Sequence, residues 1–410
     1  MKKKSIWRND GVQTLLTSLL CIVVGLLIGF IVLLFINAEG AWGAIKDVMR
    51  NFIGEGKPLK GFGITLVKTA PLLMCSLSIL FSYKVGLFNI GAAGQYVAGS
   101  CAAIYAALAW GWHWTLCMLF AIVAGAVFGA ISGFCKAYFN VNEVISGIML
   151  NWIGLYLANM ILANVKEGTS PYTVQMKNYG KEAILPTAGL NSVFGDPKHD
   201  YIGIAIPIAL LLAVVIYIIL NKTKFGYELR ATGANKNAAK YAGMAEKRNI
   251  IVTLAIGGAL AGLGGSLFYQ TGYEQWSTTL SSVPAMGFNG IAAAFLGGLN
   301  PIGAIFSSYF IQHITDGGAN LSLSAFCPQI SSLISSLIVY LCGFVGFLKL
   351  AMKRSAAKRD ERAAKLTTIT EMTTGGDTEP AAKAEEAAEQ VPETVEETAA
   401  QVEDEKGGEE

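Results

Sequence analysis

The feature that most constrains this chain is its series of apolar segments, at about 15–36, 64–83, 87–109, 115–135, 141–163, 202–220, 250–270, 286–297, 301–312 and 328–348. Several reach the ~20 residues that a helix needs to cross ~30 Å of hydrocarbon. In hydrocarbon every backbone N–H and C=O must be satisfied internally, which a helix does within one segment. Composition agrees, with 53% of the 410 residues hydrophobic and 15% charged, against about 25% charged in soluble domains. The expected fold is an all-α polytopic membrane protein with about ten transmembrane helices. The first segment follows Met-Lys-Lys-Lys without a small-residue cleavage site, so it is expected to remain as a span.

Charge sets the orientation. From Glu371 to Glu410 there are 14 acidic residues against 2 Lys, a balance of −12, whereas the net charge of the whole chain is +2. This tail is too polar to bury a core and is expected to stay a solvated, disordered extension. With the N-terminus (1–14) inside, ten crossings put the basic loop 221–249 and the basic flank from 349 in the cytoplasm. Loop 221–249 and flank 349–365 each carry 7 Lys/Arg against 2 acids, whereas loop 164–200, placed outside, carries 4 of each. The expected organisation is a transmembrane domain over 15–350 followed by a cytoplasmic flank and tail over 351–410.

Two polar, glycine-bearing stretches interrupt the apolar pattern. "GLFNIGAAGQY" (86–96) carries Asn89 and Gln95 between two spans, and segments eight and nine are short pieces separated by "GGLNP". Broken helices are tolerated where they line a cavity or pack within protein, and in transporters they mark the substrate region. Residues 86–93 loosely echo 287–293, and in the topology above the two copies run in opposite directions, as in an inverted repeat. Asn89, Gln95, Asn289 and the mid-span Asn151 are therefore the candidate residues along a substrate path. Helix packing is the competing reading, because small residues allow close approach and amides bond across helices.

Chemistry is thinly represented. No CxxC pair, metal-ligand spacing or phosphate loop of the type GxxxxGK[ST] occurs, and His113, His199 and His313 are isolated. Neither a metal, a catalytic site nor nucleic-acid binding is expected, and no cofactor is expected on this chain. Lys68 and Glu143 are the charged residues found in spans, each near an end where it can snorkel. That scarcity argues against proton coupling.

The stretch "GYELRATGANKNAAKYAGM" (226–244) carries two short helix patterns. One is expected over 227–232 ending at Gly233, and a second over 238–242, capped by Asn237 and ending at Gly243. Helices this short do not persist in water unless something packs on them. Glu228, Arg230 and Lys240 supply charge; Leu229, Tyr241, Ala242 and Met244 supply an apolar surface. Docking to a cytoplasmic protein is expected.

Three motifs then carry a resemblance that spans about 64–348. "GLFNIGAAGQY", "ATGANKNAAKYAGM" and "GFNGIAAAFLGGLNPIGA" resemble the signatures of permease subunits of ABC importers in the simple-sugar, nucleoside and branched-chain amino-acid group. Within the group the chain looks most like nucleoside permeases. It departs at Ala93, where many relatives carry Glu before Gly-Gln. The resemblance implies a ten-helix translocation subunit without catalysis, in the plasma membrane of a bacterium, with cytoplasmic termini. It implies three partners: a cytoplasmic ATPase that uses ATP, a second and homologous permease making a heterodimer, and an extracytoplasmic substrate-binding lipoprotein. Glu228, Arg230, Gly233, Asn237, Tyr241 and Gly243 are the candidate ATPase contacts. A ribose, galactose or branched-chain amino-acid importer would share this architecture, and an ion-coupled transporter would share the broken helices.

Overall fold

A computed structural model describes residues 10–50, 58–165, 172–174, 176, 180–194 and 201–319, with isolated positions at 336, 337, 340, 347 and 354. The chain divides into two units, 1–349 and 350–410. The tenth apolar segment and the acidic tail lie outside the described residues, apart from those isolated positions.

Apart from one small ladder the described elements are helical, and besides the short pieces Lys181–Ala183 and Leu190–Val193 there are twelve helices among them. They are α1 (Asp10–Ile36), α2 (Ala38–Arg50), α3 (Pro58–Lys84), α4 (Ala92–Ala109), α5 (Trp114–Phe139) and α6 (Glu143–Ala163), then α7 (Ala205–Lys222), α8 (Lys224–Ala234), α9 (Lys236–Tyr241), α10 (Glu246–Tyr269), α11 (Ala285–Leu296) and α12 (Pro301–Ala319). A two-residue antiparallel ladder joins β1 (Thr173–Val174) to β2 (Trp276–Ser277). Among the described residues, six helices are long and apolar enough to cross a membrane, and they match segments two to seven. Segment eight is the short helix α11, whereas segment nine extends past its apolar stretch to Ala319.

Local chemistry sets the breaks. Asn37 separates α1 from α2, its side chain accepting from Gly40 N at 3.2 Å. Asn140 takes the left-handed conformation (φ 52°) that ends α5, and Asn142 caps α6 by accepting from Val144 N at 2.9 Å. Lys136 and Glu143 pair at 2.9 Å across this turn, so neither extends unpaired to the interface as a snorkelling residue would.

Burial separates inner from outer helices. The apolar windows of α3, α4 and α10 are 83%, 78% and 72% buried, against 33%, 28% and 33% for α5, α6 and α7. The second group turns Leu119, Val123, Val127, Ile148, Leu211 and Val214 outward, as lipid contact requires. Helix α10 is the hub and packs on α5, α4 and α3. Its glycines make this possible. A methyl group on Gly262 would stand 2.6 Å from the Ala121 carbonyl oxygen, and one on Gly133 of α5 would stand 2.9 Å from Ile251 Cα. Apolar side chains gain little by leaving lipid for protein, so backbone-close van der Waals packing holds such helices together.

Candidate functional site

The 86–96 stretch is a true helix break. Helix α3 ends at Lys84, α4 starts at Ala92, and Gly86 turns the chain with φ +75°. The break is fastened by amides. Asn89 Nδ2 donates to Gln95 Oε1 at 2.8 Å and to Ser78 Oγ at 3.0 Å, and Gln95 Nε2 returns a bond to Asn89 Oδ1 at 3.1 Å. Asn151 of α6 accepts from Gly94 N at 2.7 Å and donates to the Ile90 carbonyl at 3.1 Å. All three side chains are buried. Asn151 thus satisfies backbone groups that the break leaves without helical partners.

Asn289 differs. It is half-buried on α11 and makes no side-chain hydrogen bond among the described residues. Its motif nonetheless meets the first one: a methyl group on Gly287 would stand 2.6 Å from Ala93 Cβ. Ala93 is fully buried there, so a larger residue at this position would push α11 away from α4.

The 226–244 stretch folds into two short helices, with shifted boundaries. Thr223 caps α8 by accepting from Gly226 N at 3.0 Å. The cap of α9 is Asn235, which accepts from Ala238 N at 3.0 Å, and Asn237 is an exposed residue inside that helix. Gly243 has the left-handed conformation expected of it (φ +79°), whereas Gly233 lies within α8 and does not end it. Gly233 instead allows close approach, since a methyl group there would stand 2.6 Å from the Val85 carbonyl oxygen. Leu229 is fully buried against the bundle and is not available to a partner.

This places α8 directly on the α3–α4 break. Asn249 at the start of α10 donates to Thr232 of α8 at 2.9 Å, and Leu87 of the break packs with Ile250 and Leu254. One face of α8–α9 is therefore held by Gly226, Leu229, Thr232 and Ala239, all buried. The other face exposes Tyr227, Arg230, Lys240 and Tyr241, the last 94% exposed, while Glu228 is half-buried.

Sequence reasoning missed one cluster. Lys68 does not snorkel: its Nζ lies 2.8 Å from Asp316 Oδ1 on α12. Asp316 lies beyond the apolar stretch that ends at 312, but the helix continues through it.

Break, hub and docked short helices together describe the membrane-spanning subunit of a transport system. The chain belongs to the family described as branched-chain amino acid transport system / permease component, which matches residues 62–343. It is 31% identical over 365 residues to the nucleoside ABC transporter permease protein NupB of Lactococcus lactis, covering 87% of this chain and 98% of the relative. It is 32% identical over 332 residues to the guanosine ABC transporter permease protein NupP of Bacillus subtilis, covering 79% and 92% respectively. With the glucose ABC transporter permease protein TsgB13 of Haloferax volcanii it shares 27% identity over 335 residues, covering 79% and 85%. No solved structure matches it.

Proposed function

We propose that this chain is one of two permease subunits in an ATP-driven importer of nucleosides. It would work in a bacterial plasma membrane with both termini cytoplasmic. The observation that carries the reading is the α8–α9 pair, gripped by the bundle on one face and presenting Tyr227, Arg230, Lys240 and Tyr241 on the other. A cytoplasmic ATPase seated on that face would move α8, and Gly233 would pass the motion to Val85 and the break. The break is bonded to α6 through Asn151 and rests on α10 through Leu87, so a shift at α8 reaches the interior helices. ATP stays on the partner subunit.

Cargo follows from the relatives. Two permeases named for guanosine in Bacillus subtilis match this chain, at 32% and 27% identity, which supports nucleosides and a pair of unlike permeases. A substrate-binding lipoprotein would deliver the cargo from outside. Asn289, with no side-chain hydrogen bond among the described residues, is the candidate for direct contact, whereas Asn89, Gln95 and Asn151 would shape the path.

Reconstituted uptake of guanosine tests the reading. It should require the ATPase and hydrolysable ATP, and unlabelled nucleosides should block it at lower concentration than ribose, galactose or glucose. Uptake that persists without the ATPase and collapses with an ionophore would refute the importer. Stronger competition by sugars would move the cargo to that class.

A further inference from the structure

At the end of α3 away from α8, the bundle holds a polar cluster that none of the three motifs contains. Lys68 Nζ and Gln312 Nε2 both donate to the same carboxylate oxygen of Asp316, Oδ1, at 2.8 and 3.0 Å. The other oxygen, Oδ2, is buried and meets no hydrogen-bond partner among the described residues, and the same is true of the Tyr309 hydroxyl. Tyr309, Gln312 and Asp316 follow at spacings of three and four, which puts them on one face of α12. Lys68 Nζ also lies 5.3 Å from the centre of the Tyr273 ring. Tyr273 meets Tyr201 edge-on at 5.2 Å, and Tyr201 lines a cavity of about 440 Å³. Small-molecule sites run to about 300–1,000 Å³. Tyr201 thus links the cavity, through Tyr273, to the ion pair, which lies beside the cavity lining and not in it.

An ion pair that served only to lock α3 to α12 gains nothing from an acceptor stripped of water and left unbonded. Such an atom is costly to bury, and ionisable groups within membrane helices commonly mark a substrate route. We propose that Asp316 Oδ2 accepts a hydrogen bond from a sugar hydroxyl of the cargo, that Tyr309 supplies a second polar contact, and that Tyr273 offers a ring to the base. Lys68 already balances the Asp316 charge, so the site suits a neutral ligand with vicinal hydroxyls, as a ribonucleoside is. The inference rests on the nucleoside reading above and deepens it.

The test uses the complete importer in proteoliposomes, with saturating binding protein loaded with guanosine or with 2′,3′-dideoxyguanosine. Asp316→Asn should lower guanosine uptake about tenfold or more, the scale of a hydrogen bond to a charged group. The dideoxy analogue should lose less, so that the preference between the two collapses. Tyr309→Phe should reduce the preference by a smaller factor at unchanged abundance. If Asp316→Asn fails to assemble, Tyr309→Phe decides, and an unchanged preference overturns the proposal. So does a charge exchange, Lys68→Asp with Asp316→Lys, that restores wild-type uptake and preference. A wild-type importer that carries no nucleoside overturns the cargo reading and this site with it. Wild-type nucleoside uptake with the preference intact in both variants overturns the site alone.

Discussion

The two ends of α3 handle polarity in opposite ways. At the C-terminal end, Asn89, Gln95, Ser78 and Asn151 spend their hydrogen bonds on one another and on the broken backbone. Nearer the other end, Lys68 and Gln312 crowd one oxygen of Asp316 and leave its twin without a partner. A closed network resists deformation and is suited to passing on a displacement. An open one is suited to receiving a ligand. On the proposals above, the first end passes on force, while the second adds a cargo contact to the one proposed for Asn289.

The largest effect should come from forcing the joint apart. Gly233→Val would thrust a branched side chain into the Val85 carbonyl, and Gly86→Val would add strain at φ +75°. A non-glycine residue held in such a conformation costs about 1–3 kcal/mol, and the contact adds to it. Both variants should insert yet lose most guanosine-stimulated ATP hydrolysis in the reconstituted importer. Normal stimulation would mean that α8 and the break move independently.

Next in size is Asn151→Ala, which strips the Gly94 N–H and the Ile90 carbonyl of their partners. Leaving buried polar groups unsatisfied costs about 1–3 kcal/mol. Thermal unfolding of the purified permease should shift down by several degrees, an effect that an open, water-filled break would not show. Gly243→Val, at φ +79° with open space around it, should destabilise the end of α9 alone.

These positions also show what the sequence makes legible. The glycines and asparagines of 226–244 announced two short helices, but Asn235 and Asn237 flank one lysine and either could cap. Gly233 was read as a stop because a glycine needed for close approach looks the same as one needed for a turn. Asn89 and Gln95 stand out as polar residues in an apolar setting, but their bonds to each other depend on how the break folds back on α4. Asp316 was invisible as a partner because Lys68 lies 248 residues away and hydropathy falls before it. Local chemistry is written in short spacing; long-range pairing is not.

A smaller effect is expected on the exposed face of α8–α9. Tyr241→Ser with Lys240→Glu should leave thermal stability unchanged, since both side chains point to solvent. Co-purification with the ATPase should weaken, and unchanged retention would move the contact off α9. The smallest effect belongs to truncation after Lys365, which keeps the basic flank expected to fix orientation. Uptake at equal membrane abundance should remain above about half of wild type, because the removed stretch offers little apolar surface.

The separation of the two ends is tested most directly by measuring ATP hydrolysed per guanosine imported alongside the preference for guanosine over its dideoxy analogue. The measurement compares Gly233→Ala with Asp316→Asn in the complete importer. Gly233→Ala should raise the ATP consumed per guanosine and leave the preference as in wild type, whereas Asp316→Asn should erase the preference at an ordinary ATP cost. A single variant that shifts both quantities together would contradict the division of labour between the closed and the open end of α3.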